Sequence, residues 1–332
     1  MNISQLLLLS FLLCLLSCRS QEQKIAAIDL PLTFLRLDND LYRLRHDSAC
    51  TTLPYLREKY GSFFEYYNTG VIHIGQSQNP RYCQILQQFL HHPIVDSAYR
   101  KVHELYADDQ PLINELTDAF RHLAYYFPDI PTPNIYTYVS GFNESLMLTD
   151  SALGIGLDQF LGNDCPLYSL LGKPAYLQYN MRPQRIVPAC LHTWIAAQYP
   201  NPSQNQPTLL SQLIYEGKIL YILQQCMPRK PFADILGFRP EQLQWCFDNE
   251  QLIWQYLIQE KRLFDTTPFT IQKYTADAPF TTGLPPQSPG KTANWIGYRI
   301  VARYMKQHTP SLPKLMQNDN PRLLLKEARY NP

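Results

Sequence analysis

Residues 208–226 form a strong helical pattern, and it carries a glutamate followed by a glycine near its centre. Met227-Pro228 ends this helix, because proline cannot continue the backbone hydrogen bonds. A glycine inside a helix costs about 0.5–1 kcal/mol relative to alanine, so Gly217 predicts another element packed closely against it. The apolar positions that line one side of the helix, together with that glycine, are Leu209, Leu210, Leu213, Ile214, Leu220, Tyr221 and Leu223.

Glu216 lies at the edge of this apolar face. A carboxylate in such a place needs either water or a hydrogen-bonding partner. The sequence leaves two interpretations open: an exposed or capped glutamate, or a polar pocket that contains Glu216.

The other segments predict a mostly helical α+β fold with one small sheet. A small meander of two or three short strands fits residues 134–158, which alternate β-formers with turn residues. Residues 28–44 lead into the first helices, and residues 265–290 predict a long loop rich in proline and glycine. No internal repeat is visible, so we expect a single domain over residues 28–332. Further helices are predicted over 111–127, 186–199, 240–264 with a break near Asp248-Asn249, 292–308 and 321–330.

The charge balance excludes one class of partner. Lys and Arg total 29 and Asp and Glu total 28, which gives a formal net charge of +1. A nucleic-acid-binding protein needs a basic field to neutralise phosphates, so no nucleic acid is expected as a partner.

The N-terminus is typical of an exported protein. Leu6–Leu16 is an apolar run of the length of a signal-peptide core, too short to span a bilayer. Ser17-Cys18 then resembles a bacterial lipobox, which implies a lipoprotein signal peptide over residues 1–18, acylation of Cys18 and a tether over residues 19–27. Two or more acyl chains hold a protein stably on a lipid bilayer. An ordinary secretory signal is the alternative.

Six further cysteines follow this segment, and an exported protein permits disulfides between them. None forms a C-x-x-C pair, and six cysteines allow 15 pairings, so the sequence cannot choose among them. Burial as free thiols is the simplest interpretation of the three on apolar helical faces, Cys190, Cys226 and Cys246. The other three are Cys50, Cys83 and Cys165.

Two segments come close to known site motifs without completing them. His103-Glu104 begins like the zinc-binding H-E-x-x-H, but Ala107 stands where the second histidine must be. Pro289-Gly290-Lys291-Thr292 ends like a phosphate-binding loop, but Pro285 replaces its first glycine. We therefore expect surface residues at the first segment and a helix start near Thr292 at the second.

A set of short motifs resembles the gliding-motility lipoprotein B family, GldB. Each motif is weak alone, but they occur in order over most of the mature chain. The resemblance implies a periplasm-facing lipoprotein that supports the gliding machinery and its associated protein-secretion system, with other envelope proteins as partners. Ser20 two residues after Cys18 favours the outer membrane over the inner one. Beside the lipobox, the motifs are 156–162 with Asp164-Cys165-Pro166, Met181-Arg182-Pro183, 213–221, 240–243, Asn249-Glu250 with Trp254, 288–291 with Trp295-Ile296-Gly297, and 304–306.

This family is also distantly similar to predicted zinc peptidases of the zincin type. In those proteins one helix carries H-E-x-x-H, and a later helix begins with a Glu-Gly pair, which Glu216-Gly217 matches here. The earlier helix has only His192, since Pro188 and Ala189 stand at the positions of the first ligand and the catalytic glutamate. A catalytic zinc needs three protein ligands and a bound water. The resemblance therefore implies a zincin-like scaffold with no catalytic residue, metal or cofactor, in which His192 and Glu216 are a relic polar pair.

Three functions from different classes remain. The first is a non-enzymatic, membrane-anchored accessory protein of gliding or secretion. The second is a degenerate or unusual zinc metallohydrolase, in which His103 or Asp158 would converge on His192 and Glu216. The third is a surface lipoprotein that captures glycan or peptide with its many tyrosines, and clustered exposed aromatic side chains would favour it.

Overall fold

The computed structural model describes residues 21–332. Cys18 and the predicted signal peptide therefore lie outside the described residues. Residues 21–26, which the sequence assigns to the tether, are helical, and the Ile25 side chain is buried. Gln21 donates a hydrogen bond of 2.7 Å to the Tyr126 hydroxyl. The described chain is thus held against the body of the protein from its first residues.

The fold is α+β and mostly helical, as the sequence predicts. Single turns of 3₁₀ or π-helix add to the regular elements. The strands are β1 (Phe34–Arg36), β2 (Asn134–Tyr138), β3 (Leu146–Leu148) and β4 (Ala152–Gly156). The helices are α1 (Leu37–Leu44), α2 (Leu53–Tyr60), α3 (Ser62–Tyr66), α4 (Tyr82–Leu90), α5 (Pro93–Leu105), α6 (Gln110–Tyr126), α7 (Pro166–Leu170), α8 (Ala175–Gln178), α9 (Ile186–Gln198), α10 (Leu209–Cys226), α11 (Phe232–Leu236), α12 (Pro240–Asp248), α13 (Glu250–Gln259), α14 (Pro268–Thr275), α15 (Thr292–His308), α16 (Leu312–Gln317) and α17 (Pro321–Ala328).

The sheet has four strands in the order β1-β2-β4-β3. Residues 134–158 supply three of them, which agrees with the prediction of two or three strands. The prediction of a meander was wrong, because β2 and β4 pair in parallel and only β3 and β4 form an antiparallel hairpin. The fourth strand, β1, lies in the segment that the sequence predicts as a lead into helices, and this prediction was wrong for residues 34–36. A three-residue strand has too little alternation to be recognised locally, and β1 exists because it pairs with β2 about a hundred residues away.

The predicted loop over residues 265–290 contains a helix, α14, so the prediction of a continuous loop was wrong. Pro268 stands in its first turn, where proline is tolerated because the backbone N–H there has no partner within the helix. Ile271 and Tyr274 are buried against the rest of the protein. A helix of eight residues is unstable alone, so these tertiary contacts decide its formation.

Helices α10 and α15 cross at a pair of glycines, which confirms the close packing predicted at Gly217. A Cβ atom added to Gly217 would lie 2.2 Å from the backbone carbon of Gly297. A Cβ added to Gly297 would lie 1.7 Å from the carbonyl oxygen of Leu213. Since no side chain fits between the two backbones, both helices need glycine at the crossing.

The tyrosines mostly pack inside the protein. Tyr67 donates a hydrogen bond of 2.9 Å to the Val139 carbonyl, and Tyr82 donates one of 2.7 Å to Asn68. Tyr55 and Tyr66, by contrast, are 57% and 54% exposed. The tyrosines among the largest fully buried side chains are Tyr67, Tyr82, Tyr99, Tyr138, Tyr168 and Tyr274.

Of the pairings that the sequence left open, the structure forms a disulfide between Cys50 and Cys83, whose Cα atoms are 5.9 Å apart. The other cysteines of residues 21–332 are buried as free thiols: Cys165, Cys190, Cys226 and Cys246. Burial of Cys190, Cys226 and Cys246 confirms the prediction for the apolar helical faces. Across residues 21–332, no helix has the length and apolar character needed to cross a bilayer.

Candidate functional site

The structure brings His192 and Glu216 together between α9 and α10. The His192 Nε2 atom lies 3.0 Å from the Glu216 Oε2 atom, a distance at which the ring nitrogen donates to the carboxylate. Gln212, one helical turn before Glu216, makes a longer contact of 3.4 Å from its amide nitrogen to Oε1. The His192 side chain is 36% exposed and that of Glu216 is 16% exposed. Of the two interpretations of Glu216, the structure therefore shows the polar pocket.

Local sequence explains why these two helices present the pair. Pro188 is in the first turn of α9, where a missing backbone N–H is tolerated. Thr208 begins α10 with a reciprocal capping arrangement, in which its side chain accepts from the Ser211 backbone and the Ser211 hydroxyl accepts from the Thr208 backbone. This cap fixes where α10 starts.

The pair lines an open cleft with a cavity of about 490 Å³, which is within the usual size of a ligand pocket. One wall is α9 and another is α10. The β3 edge contributes Ser145 and Leu146, and the start of α15 contributes Asn294. The apolar part of the lining consists of Leu146, Pro188, Leu220, Leu223, Ile235 and Leu236.

Charged groups that the sequence did not assign to a site also line the cleft. Lys291 and Asp277 form an ion pair of 2.6 Å, and both also line a neighbouring cavity of about 180 Å³. Arg185 donates a hydrogen bond of 2.8 Å to the Ile235 carbonyl. Burial lowers the pKa of Arg185 to about 10, which still leaves the guanidinium charged at neutral pH. Among these residues, Lys291 alone lies beside a feature that the sequence predicts. That feature is the helix start near Thr292, which is where α15 begins.

The residues proposed to assist His192 and Glu216 in a metallohydrolase lie elsewhere. The His103 ring stacks on Tyr42 with the ring centroids 4.9 Å apart. Asp158 is fully buried and accepts backbone hydrogen bonds of 2.9 Å from Ser140 and 2.6 Å from Phe142. Neither His103 nor Asp158 lines the cleft.

Asp158 has a structural role that the sequence did not reveal. Its carboxylate also accepts from the Ser140 hydroxyl, so it fixes the turn that follows β2. Burial raises the pKa of Asp158 to about 6. Sequence alone offers little signal for this role, because Ser140 and Phe142 precede Asp158 by 18 and 16 residues.

The His192–Glu216 pair by itself supplies two protein ligands for a metal ion. Within residues 21–332, no cluster of three or more His, Cys, Asp or Glu side chains has a metal-binding arrangement. A zinc ion needs at least three protein ligands in a catalytic site and four in a structural one. The arrangement is suited to accepting and donating hydrogen bonds on the lining of an open cleft.

Comparison with protein-family models matches residues 18–332 to the family described as gliding motility protein GldB. The chain belongs to the GldB family. Membership of the GldB family associates the chain with gliding motility, as its motifs predict, and the match begins at Cys18 and includes the whole cleft. Neither the curated proteins nor the solved structures contain a match. The likeness of GldB to zincins therefore stays a prediction.

Proposed function

We propose that this protein is a lipid-anchored, non-catalytic accessory component of the gliding machinery and its associated protein-secretion system. The observation that carries the proposal is the family match over residues 18–332. Its partners are other envelope proteins of that machinery, and the body faces the periplasm from the outer membrane. In a bacterium that does not glide, the secretion role remains.

Deleting the gene tests the accessory role. Gliding cells should lose surface motility and export less protein through the associated system, and a plasmid copy should restore both. Motility on agar and the secreted protein fraction are the measurements. Normal motility together with normal export would refute the role.

The lipid anchor depends on Cys18, which stands at the lipobox position. Cys18→Ala should move the protein from the membrane fraction to the soluble periplasmic fraction, because acyl chains supply the membrane affinity. Cys14→Ala is the matched control, since it removes the other thiol of the same apolar segment. Membrane association that survives Cys18→Ala would contradict the anchor.

The non-catalytic role is supported by Pro188 and Ala189, which occupy the places of a first ligand and a base on α9. A zinc metallohydrolase is the second candidate function, because His192 and Glu216 share an open cleft. Metal analysis of purified protein, residues 19–332, distinguishes the two. We expect far less than one zinc ion per chain, and stoichiometric zinc that His192→Ala removes would favour the hydrolase.

A further inference from the structure

A second cavity, of about 590 Å³, lies beside the C-terminal half of α15, and we call it the α15 cavity. Arg299, Arg303 and Lys306 line it from one face of that helix, since they are four and three residues apart. Glu250 at the start of α13 and Tyr330 just after α17 also line it. Three cationic side chains therefore share one cavity that has the size of a ligand pocket.

Glu250 is the one acidic side chain on this lining, and its charge is already paired. Its Oε1 atom accepts a hydrogen bond of 2.9 Å from the Arg299 Nε and one of 2.6 Å from the Tyr330 hydroxyl. The Tyr330 ring in turn packs edge-on against Trp254, with the ring centroids 5.0 Å apart. Pro332 also lines the cavity, but within residues 21–332 no carboxylate other than Glu250 pairs with the three cations.

Arg303 and Lys306 are left without a partner. Both residues are exposed, and the side chain of neither makes an ion pair or a hydrogen bond with another residue of the described chain. Like charges three residues apart on a helix repel each other. An anion bound between Arg303 and Lys306 would relieve this repulsion and complete their hydrogen bonds.

Two other cavities of similar size carry balanced charges. The cleft of about 490 Å³ is lined by two cationic side chains of Lys or Arg and by two carboxylates. The cavity of about 690 Å³ beside α6 is lined by three of each. The side chains that line the α15 cavity, by contrast, include three cations and one carboxylate. This cavity is therefore suited to an anion in a way that the other two are not.

The surrounding segment has the same sign of charge. Residues 291–332 contain eight Lys or Arg and two Asp or Glu, although the whole chain has a formal net charge of only +1. Lys326 on α17 and Arg329 directly after it are exposed. A local excess of positive charge raises the concentration of anions near the surface and speeds their association.

We propose that the α15 cavity binds a phosphate monoester, carried by a membrane lipid or by a soluble molecule. The Arg303 guanidinium donates to two phosphate oxygens through its planar fork, and the Lys306 ammonium donates to a third. A phosphate monoester carries up to two negative charges on one group, which matches two unpaired cations. Ala302 and the Tyr330 ring form a wall for the rest of the ligand.

This binding is separate from the acyl anchor predicted at Cys18. Salt screens the attraction between exposed charges and a phosphate, whereas it does not release acyl chains from a bilayer. Washing the membrane fraction of Cys18→Ala cells with concentrated salt therefore removes any contribution of the α15 cavity. The anchor and this inference can consequently fail independently of each other.

The first experiment measures the binding of glycerol 3-phosphate to purified residues 19–332 by isothermal titration calorimetry. Succinate is the matched anion, because it carries its two charges on separate carboxylates. Binding of glycerol 3-phosphate with a Kd below about 1 mM, and weaker binding of succinate, would show that the phosphate group of a soluble molecule is sufficient.

The second experiment measures cosedimentation of the same protein with phosphatidylcholine vesicles that contain a fraction of phosphatidic acid. Vesicles with the same fraction of phosphatidylglycerol are the reference, because their phosphate is a diester with a single charge. Preference for phosphatidic acid without binding of glycerol 3-phosphate would identify a membrane lipid as the source of the phosphate.

The third experiment tests the site with the double variant Arg303→Gln/Lys306→Gln. It should lose about tenfold or more in affinity for the ligand that binds, because two charged hydrogen-bond donors are removed. Arg81→Gln/Lys101→Gln is the matched control, since it removes the same charge at two unpaired cations that do not line the cavity. Both double variants should keep the urea midpoint of the wild type.

Three outcomes would overturn the proposal. The first is that neither glycerol 3-phosphate at about 1 mM nor phosphatidic acid vesicles bind the protein. The second is that succinate or phosphatidylglycerol binds as tightly as its phosphate monoester counterpart, which would indicate attraction to negative charge in general. The third is an equal loss of affinity in the two double variants.

Discussion

Glu216 and Gly217 are neighbours in α10, yet they face opposite kinds of surroundings. Gly217 meets the backbone of Gly297 with no room for a side chain, whereas Glu216 borders a cavity of about 490 Å³. The next residue, Lys218, is buried and donates a hydrogen bond of 2.5 Å to the Asn318 carbonyl. Glu216 thus lines an open cleft, Gly217 allows two helices to pack closely, and Lys218 binds the end of α16. The effect of a substitution in α10 therefore depends on which way its side chain points.

The largest effect is expected at the glycine crossing. Gly297→Ala would place a Cβ atom against the Leu213 carbonyl and force α10 and α15 apart. We expect a loss of about 3 kcal/mol in the free energy of unfolding, measured by urea denaturation. Gly70→Ala is the matched control, because a Cβ at Gly70 meets no atom within 4 Å. Equal stability of the two variants would show that the crossing tolerates a side chain.

A smaller, pH-dependent effect is expected at Lys218. Burial lowers the pKa of Lys218 from 10.5 to about 8. Between these values the unfolded chain holds the proton and the folded chain does not, so stability rises with pH. Relative to Lys218→Met, the wild-type free energy of unfolding should rise by up to about 1.4 kcal/mol per pH unit in this window. Urea denaturation at pH 8, 9 and 10 measures this rise. Lys306→Met replaces an exposed lysine and is the control, so its free energy of unfolding should change with pH as that of the wild type does.

The smallest effect on stability is expected on the cleft side. Glu216→Gln keeps the shape of the side chain and an acceptor for His192, so the free energy of unfolding should change by less than about 0.5 kcal/mol. Asp158 is the contrasting carboxylate, because Asp158→Asn places an amide donor against buried backbone N–H groups. That variant should lose about 2 kcal/mol. A large loss of unfolding free energy in Glu216→Gln would mean that the His192–Glu216 pair stabilises the fold.

Local pattern was enough to predict several elements of the fold. The helix predicted over 292–308 is α15, and the break near Asp248-Asn249 separates α12 from α13. Gly217 predicted a close neighbour. These predictions succeed because helical periodicity, proline and a helical glycine act over a few residues. The pairing of His192 with Glu216, by contrast, was implied by the resemblance to zincins and not by local pattern.

Other features depend on contacts between distant parts of the chain. β1 and α14 are too short to form without their partners, so neither could be recognised in its own segment. The walls of the cleft come from β3, α9, α10, α11 and α15, and Asp277 and Arg185 become site residues only through that assembly. The pairing of Cys50 with Cys83 likewise follows from the packing of α4 beside the segment after α1.

The residue pattern was sufficient to predict the mostly helical class and the position of α10, and it singled out Glu216 and Gly217. The assembled fold was needed to show that Gly297 is the partner of Gly217, that Asp158 is a buried structural carboxylate and that Glu216 lines an open cleft. This division follows from the distance along the chain over which each effect acts. Helix propensity is local, whereas burial and the partner of a polar group depend on which segments the fold brings together.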